Sequence, residues 1–347
     1  MNLYKLSRNL IGAILERFSN FYVAFLASFK VAFTSTPSSK DHSLGAPEMK
    51  KPLSDCSSLH TNWRTAIFVA FLAVSASLNA QVDPAWTAPF PPFRIAGNLY
   101  YVGSKDLASY LIVTPKGLIL MNSSLESSVP LIERSVETLG FRFRDIKILL
   151  ISHAHYDHCA GSARIKQLTG AKYEVMAEDV PVVESGGRDD FQYGADKSMQ
   201  FPPAHVDRVL HDGDTVSLGG TVLTAHLTAG HTKGTTTWTL DEREGGRLLH
   251  VVIVGSSNVN PGYKLVGNKA YPQIAADYEH EFKVLESLPC DIFLGAHGGY
   301  FGLVAKYARW KSGDRDAFID PAGYKAYIAD REQAFESELR LQKAGKR

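Results

Sequence analysis

Short apolar runs bounded by Gly, Pro, Asn or Asp recur along most of the chain after residue 98. Runs of this length that are rich in branched and aromatic residues predict strands, which we place at 99–102, 110–113, 118–121, 146–151, 206–210, 221–227, 235–240, 249–254 and 292–294. Apolar residues at helical spacing predict helices at 129–139, 275–288 and 324–343. Strands mixed with helices, without a repeat of fixed length, predict an α/β sandwich.

The region before these runs has a different pattern. Arg64 is followed by an apolar stretch at 66–74 and then by small residues up to Ala80. This order is typical of a secretory signal peptide, which we place at 49–80, with cleavage after Ala80 and, as the second choice, after Ala76. The apolar stretch is short for a membrane span. A signal anchor that is retained is the alternative interpretation.

The first 48 residues stand apart from this signal pattern. They contain a second apolar stretch, which Lys30 interrupts, followed by a Ser/Pro-rich piece. We interpret residues 1–48 as an upstream extension to which the sequence assigns no role. At the other boundary, residues 83–92 are rich in proline and show no periodicity, which predicts an extended arm.

The composition narrows the class of protein. Of the 347 residues, 45% are hydrophobic and 21% are charged, and the formal net charge is +1. A charge this small disfavours nucleic acid or an anionic membrane as a partner. Neither GxGxxG nor GxxxxGK[ST] occurs, which disfavours a nucleotide-binding enzyme. Three scattered cysteines form neither a disulfide framework nor a zinc knuckle.

The most specific motif follows the predicted strand at 146–151 and reads Ser-His-Ala-His-Tyr-Asp-His from residue 152 to residue 158. Alternate residues of an extended segment point the same way. His153 and His155 can therefore face one point, while Asp157 and His158 face a neighbouring one. Neutral imidazole and carboxylate are ligands that zinc prefers. The motif therefore predicts a metal site.

Two further histidines, His231 and His297, each follow a predicted strand and have glycine neighbours. Glycine lets the backbone turn tightly and approach a ligand. With the first motif they predict a centre for two metal ions, with three His around one ion and one Asp and two His around the other. Open positions would remain for water, as catalysis requires. We interpret the other histidines, including His226, as packed or solvated side chains.

This pattern resembles the metallo-β-lactamase superfamily, whose signature is HxHxDH followed by two distant histidines. The resemblance covers the chain from about residue 92 onward. It is closest to the β-lactamases of subclass B3, because the stretches 90–98, 230–232, 237–239 and 260–265 are similar to those of that subclass. It implies a four-layer αβ/βα sandwich, in which two mixed sheets face each other and helices lie outside. It also implies that residues 81–347 form one catalytic domain.

The resemblance implies two zinc ions (Zn²⁺) as cofactors. The first would be bound by His153, His155 and His231, and the second by Asp157, His158 and His297. Thioesterases, lactonases and many phosphodiesterases of this fold place a metal-bridging Asp within the stretch that corresponds to 255–257. This chain has Ser256 and Ser257 there, which favours a β-lactamase.

The reaction that the resemblance implies is hydrolysis of the β-lactam amide bond by a hydroxide that the metal ions generate, which gives antibiotic resistance. Asp157 would accept a hydrogen bond from this nucleophile. Ser257 and Asn260 would bind the carboxylate of the drug, and Tyr193 would pack on the substrate from a neighbouring loop.

Two other functions remain open, namely a lactonase or thioester hydrolase of the same fold and a non-catalytic metal-binding or redox protein. The signal pattern predicts a periplasmic or secreted protein. We expect a monomer that binds a small β-lactam substrate, no nucleic acid and, once the signal is cleaved, no membrane.

Two cysteines lie within this domain. Many members of the subclass have a disulfide, one half of which corresponds to Cys290. The position of its partner is occupied by Tyr324. We therefore predict that Cys290 is unpaired and that Cys159 is a small buried hydrophobic residue.

Overall fold

A computed structural model describes residues 83–346 of the chain. The predicted upstream extension and signal peptide, residues 1–80, lie outside the described residues. Within 83–346, no helix is both long enough and apolar enough to cross a membrane.

Two mixed β-sheets form the centre of the fold, one of seven strands and one of five. The first contains, in spatial order, β1 (Phe93–Ala96), β2 (Leu99–Tyr101), β3 (Tyr110–Thr114), β4 (Gly117–Met121), β5 (Ile146–Leu150), β6 (Lys172–Met176) and β7 (Arg208–Leu210). The second contains β8 (Thr215–Leu218), β9 (Thr221–Leu227), β10 (Thr236–Glu244), β11 (Arg247–Val254) and β12 (Ile292–Gly295), again as neighbours in chain order.

Strand direction decides which loops meet. Strands β1 to β4 are antiparallel neighbours, whereas β4, β5, β6 and β7 run parallel. In the second sheet β8 to β11 are antiparallel, and β11 and β12 run parallel. Parallel neighbours have their C-terminal ends at the same edge of a sheet. The loops after β5 and β6 therefore emerge side by side, as do the loops after β11 and β12.

Helices cover the outer faces of both sheets. They are α1 (Val129–Thr138), α2 (Tyr156–Cys159), α3 (Ser162–Thr169), α4 (Val180–Ser185), α5 (Ile274–Ser287), α6 (Gly298–Phe301), α7 (Leu303–Lys311) and α8 (Pro321–Lys343). Helices α1, α3 and α4 share one apolar cluster with the first sheet. Helices α5 and α8 belong to the larger cluster that also fills the space between the sheets.

The unbroken apolar run of β4 shows that the first sheet is buried on both faces at this strand. Leu118 and Leu120 belong to the cluster under the outer helices, whereas Ile119 and Met121 belong to the cluster between the sheets. Successive side chains of a strand point to opposite faces, so a strand covered on both sides needs apolar residues at every position. The four-layer αβ/βα sandwich expected from the sequence is confirmed.

Three strands escaped the sequence analysis for a common reason, which is that polar residues interrupt their apolar runs. In β8 only Val216 is buried, and β6 has Lys172 and Glu174 among its residues. Glu174 is nevertheless buried, because Arg208 of the neighbouring strand donates to its carboxylate at 2.9 Å. Strand β1 contains an exposed Arg94.

The arm predicted to be extended is interrupted by a 3₁₀ turn at Pro84–Trp86. Pro84 occupies the first helical position, where its fixed φ is favourable. The side chain of Asp83 accepts a hydrogen bond from Ala85 N at 2.8 Å, which caps the turn. The prediction of an extended arm is wrong at these residues, and the turn matters because it carries Trp86.

Both cysteines within the described residues are unpaired. Cys159 is buried, as predicted. Cys290 is partly buried in a cleft that Tyr324 also lines. Burial raises the pKa of the Cys290 thiol to about 12, which keeps it protonated and unreactive at neutral pH.

Candidate active site

The HxHxDH motif begins where β5 ends. Ser152 N donates to Asn122 Oδ1 at 2.8 Å, which fixes the backbone as it leaves the sheet. The backbone then bends at Ser152 and Ala154, and His155, with the extended dihedral angles φ −87° and ψ 152°, directly precedes α2. His158 N then donates to His155 O at 2.9 Å and closes the one-turn helix. The motif therefore lies in a bent segment that leads into a helical turn at Tyr156.

Three imidazole rings form a compact triangle. The ring centroid of His153 lies 4.9 Å from that of His155 and 4.7 Å from that of His231, and the third side of the triangle is 4.7 Å. One nitrogen from each ring lies within 4.8 Å of the others. All three side chains are buried. The structure thus brings together the three residues predicted for the first ion.

A second group of three lies beside the first. Asp157 Oδ2 is 3.2 Å from His158 Nε2 and 3.5 Å from His297 Nε2, and the two imidazole nitrogens are 3.2 Å apart. His153 borders this group as well, because its ring centroid lies 4.3 Å from that of His158. The residues predicted for the second ion therefore converge, next to the first triangle.

The three histidines of the first triangle are neutral, which suits them to bind a metal ion. Burial lowers the pKa of His153 and of His231 well below the usual range and that of His155 to about 4. All three imidazoles are thus neutral at pH 7. Each has one nitrogen lone pair for a metal ion, as zinc coordination requires.

The second group contains an ionised carboxylate. Burial opposes ionisation of Asp157, but His158 and His297 outweigh it, and the pKa of Asp157 lies well below its usual range. Burial also opposes protonation of His297, yet Asp106 and Asp157 raise the pKa of His297 to about 9. The two carboxylates therefore make this position attractive to a positive charge.

Buried nitrogen atoms that lack a hydrogen-bond partner show whether a metal ion fits this site. His153 Nε2 and His155 Nε2 are buried without a hydrogen-bond partner among the described residues. Leaving one such atom unpaired costs about 1–3 kcal/mol. A bound cation removes this cost at the nitrogens that face it. The lone pairs, the donor types and the burial all fit zinc.

The outward nitrogens of several rings are held by oxygen atoms. His231 Nδ1 lies 2.8 Å from Asn258 O, and His297 Nδ1 lies 2.8 Å from Asp106 Oδ2. Ser152 Oγ lies 3.2 Å from His153 Nδ1. Such partners fix the tautomer and orientation of a ligating imidazole, so that the other nitrogen faces the metal.

A pocket opens onto both groups. Aromatic and apolar side chains form much of its wall, namely Trp86, Tyr156, Tyr193, Met199 and Phe201, and polar ones add Asn258, Asn260 and Tyr300. The structure thus places two predicted substrate contacts in the wall. Tyr193 lies with its ring centroid 5.3 Å from that of His155, and its hydroxyl accepts from Asn260 Nδ2 at 3.1 Å.

The third predicted substrate contact, Ser257, does not line the pocket. Its side chain is buried and donates to Glu281 Oε1 of helix α5 at 2.6 Å. The structure therefore does not place Ser257 in the pocket wall, and the substrate contact expected of it stays a prediction. A serine at this position can point into the pocket or into the core. Here the buried carboxyl of Glu281, on a helix that follows later in the chain, holds Ser257 in the core.

Three carboxylates that support the site carry no local motif and were missed. Asp106 holds His297, as described above. Asp190 Oδ1 accepts from Tyr193 N at 2.6 Å, and its Oδ2 lies 3.7 Å from His155 Nε2. Asp179 contacts the loops of the first triangle; burial raises the pKa of this carboxyl to about 7 against the opposing effect of its hydrogen bonds. Only pairing in the folded chain identifies these residues.

Gly230, the residue before His231, has no room for a side chain. Its φ is +146°, and a Cβ there would lie 2.7–2.9 Å from the ring of Tyr278. We expect the Gly230→Ala variant to lose about 1–3 kcal/mol of unfolding free energy, the usual cost of overpacking. Urea denaturation followed by circular dichroism measures it. Gly220→Ala is a control, since Gly220 also has a positive φ but an open surrounding; equal losses would exclude crowding by Tyr278 as the cause.

Comparison with solved structures identifies similar enzymes. The native FEZ-1 metallo-β-lactamase from Legionella gormanii is 60% identical, with a TM-score of 0.74, and the match covers 74% of this chain and 98% of that one. BJP-1, a subclass B3 metallo-β-lactamase of Bradyrhizobium japonicum, is 37% identical, with a TM-score of 0.72 and coverage of 76% and 99%.

Sequence comparison agrees with the structures. A probable metallo-hydrolase of Burkholderia pseudomallei (strain 1710b) is 30% identical over 130 residues, and this match spans 37% of the chain and 42% of the relative. The family model of the metallo-β-lactamase superfamily matches residues 107–297, the segment that contains both ligand groups. The chain belongs to the metallo-β-lactamase superfamily.

Proposed function

We propose that this protein is a two-zinc β-lactamase of subclass B3 that hydrolyses the amide bond of the β-lactam ring. The observation that carries the proposal is the pair of adjoining ligand groups, three histidines and Asp-His-His, at the floor of one pocket. The similar enzymes FEZ-1 and BJP-1 support the substrate class.

In this proposal His153, His155 and His231 hold the first zinc, and the second is held by Asp157, His158 and His297. When bound, the ions supply a nucleophile from water near neutral pH and polarise the lactam carbonyl. One water molecule is consumed: the acyl carbon gains the oxygen, the C–N bond breaks, and the nitrogen gains a hydrogen.

The protein's own groups orient this reaction. Asp157 stays ionised because His158 and His297 hold its pKa low, so its carboxylate can accept a hydrogen bond from the attacking water. His297 is fixed from behind by Asp106. Aromatic side chains of the wall, such as Trp86 and Tyr156, exclude bulk water from one side of the pocket.

Tyr193 and Asn260 are the chain's own contacts for the substrate in this proposal. Their side chains share a hydrogen bond, so they form one polar and aromatic edge of the pocket. Asp190 supports this edge by accepting backbone hydrogen bonds from Gln192 at 2.8 Å and Tyr193 at 2.6 Å. The aromatic ring offers apolar contact area, and the Asn260 amide offers a donor to a carboxylate.

Truncation of Tyr193 tests this edge. We expect Tyr193→Ala to raise KM for several lactams by about 2- to 12-fold, because an aromatic contact contributes about 0.5–1.5 kcal/mol, with a smaller change in kcat. Steady-state kinetics measures both parameters. Tyr193→Phe is the matched control, since it removes only the hydroxyl; unchanged KM in Tyr193→Ala across penicillins, cephalosporins and carbapenems would remove Tyr193 as a contact.

A substrate comparison separates the proposal from its alternative, a lactonase or thioester hydrolase. The zinc-loaded protein is assayed with nitrocefin, an acyl homoserine lactone and an acyl thioester at matched concentrations. We expect kcat/KM to be highest for nitrocefin. Preferential hydrolysis of the lactone or of the thioester would overturn the assignment to β-lactams while leaving the metal centre intact.

The cellular setting follows from the N-terminal pattern and stays a prediction. We propose that residues 49–80 direct the enzyme to the periplasm or to the exterior, where the drugs encounter it, and that it confers antibiotic resistance as a monomer. Expression in a susceptible bacterium, with growth measured against a carbapenem and fractionation of the cells, tests the location and the resistance.

A further inference from the structure

Asp179 is a buried carboxylate without a role in the reaction as written above. It follows β6, at the end of the 3₁₀ turn Ala177–Asp179, and is 1% exposed. It directly precedes helix α4, where an aspartate would usually cap the helix through its side chain. Its side chain makes no such bond here.

The carboxylate instead accepts three hydrogen bonds from two other loops. Oδ2 accepts from Ala154 N at 2.8 Å and from Thr232 Oγ1 at 2.9 Å, and Oδ1 accepts from Gly234 N at 2.9 Å. Ala154 lies between His153 and His155. Thr232 directly follows His231 in the sequence.

The fold explains how one side chain reaches both loops. Strands β5 and β6 are parallel neighbours, so Asp179 and the HxHxDH segment leave the same edge of the sheet. Gly234 approaches the carboxylate so closely that a Cβ at this position would lie 2.6 Å from Asp179. Glycine is therefore required for the third hydrogen bond.

We propose that Asp179 is the positioning residue of the three-histidine site, because it fastens the segment that carries His153 and His155 to the loop that carries His231. The inference rests on the proposed metal centre. In this proposal the Asp179 carboxylate sets the spacing of the three imidazoles. It therefore affects the affinity for the first ion and not that for the second. Asp106, which holds His297, serves the second ion in the same way.

Zinc affinity measured on the chelator-stripped protein tests the proposal, with a chromophoric chelator as competitor for Zn²⁺. In Asp179→Asn an amide NH₂ replaces one oxygen, so at least one of the three donors loses its acceptor. We expect one of the two zinc equivalents to bind about 10- to 100-fold more weakly, the usual effect of losing a partner of a ligand. Asp106→Asn should weaken the other equivalent.

A double variant shows which equivalent is affected. His231→Ala removes a ligand of the three-histidine site and leaves the second site in place. On this background Asp179→Asn should leave the affinity of the remaining zinc unchanged, whereas Asp106→Asn should reduce it. An equal loss from both substitutions would overturn the proposal. If the wild type itself bound no zinc, the proposed function would fail instead.

Thr232 provides a second test if Asp179→Asn does not fold. Thr232→Val keeps the shape and removes the hydroxyl that donates to Asp179, and Thr232→Ser restores a hydroxyl. We expect weaker binding of one equivalent in the first variant and recovery in the second. Asp207→Asn is a control for the loss of a carboxylate that accepts a backbone hydrogen bond, here from Tyr173 N at 2.7 Å. Unchanged zinc affinities in a folded Asp179→Asn or in Thr232→Val would contradict the proposal.

Discussion

Replacement of Asp157 by asparagine is expected to reduce kcat/KM for β-lactams by more than about 100-fold, because loss of a ligand exceeds the 10- to 100-fold effect of losing a ligand's partner. Asp157 is the one carboxylate among the six proposed ligands, and its Oδ2 faces both His158 and His297. The substitution keeps the shape and removes the charge that attracts the second ion. It also weakens the acceptor for the attacking water.

Two measurements check this expectation, namely zinc content and steady-state kinetics with nitrocefin. The Asp157→Asn protein should retain its fold and lose most of one zinc equivalent. Asp145→Asn is the control, since Asp145 pairs with Arg142 on the surface and does not line the pocket. Wild-type kcat/KM in Asp157→Asn would show that this carboxylate neither binds a metal nor assists the reaction.

Glu281→Gln is expected to make the protein more stable than the wild type at neutral pH, with an advantage that grows as the pH rises. Glu281 is fully buried on α5, and burial raises its pKa well above the ordinary value of 4.5. Its Oε1 accepts from Ser257, and its Oε2 has no hydrogen-bond partner among the described residues. The neighbouring phenols, of Tyr278 and Tyr327, are also kept neutral by burial.

The sign follows from proton linkage. Between pH 4.5 and the raised pKa of the folded state, the unfolded chain releases the Glu281 proton and the folded chain keeps it. The unfolding free energy therefore falls by about 1.4 kcal/mol for each pH unit in this range. Glutamine keeps an acceptor for Ser257 and does not titrate, so Glu281→Gln removes this loss.

Urea denaturation of both proteins between pH 5 and pH 8 measures the effect. Metal binding contributes to both proteins alike, so the difference between them isolates Glu281. Glu336→Gln, at an exposed position on α8, is the control for the same substitution outside the core. A pH-independent difference for Glu281→Gln would mean that Glu281 is ionised in the folded state.

The sequence predicted the elements whose hydrophobic pattern is strong. Strand β9 has the predicted bounds, and helix α5 differs by one residue at each end. Strand β8 was missed because its pattern depends on a single buried valine, Val216, and its strand character comes from pairing with β9. Local sequence does not contain that pairing.

The residues of the candidate site also differ in whether the local sequence identifies them. Residues that carry a motif, from His153 to His158, were found because their spacing is local. His231 and His297 follow predicted strands and have glycine neighbours, which is also a sequence signal. The burial of Ser257 was not predicted, because the direction of its side chain depends on Glu281, which lies 24 positions away. Asp106 and Asp179 were missed, since each supports histidines that lie far from it in the chain.

The most direct test of the two-zinc hydrolase is a titration of the chelator-stripped protein with Zn²⁺, in which the initial rate of carbapenem hydrolysis is measured at each addition. We predict no hydrolysis without zinc and a rate that rises until two equivalents are bound. Hydrolysis at full rate by the stripped protein, or none by the protein with two bound zinc ions, would contradict the account.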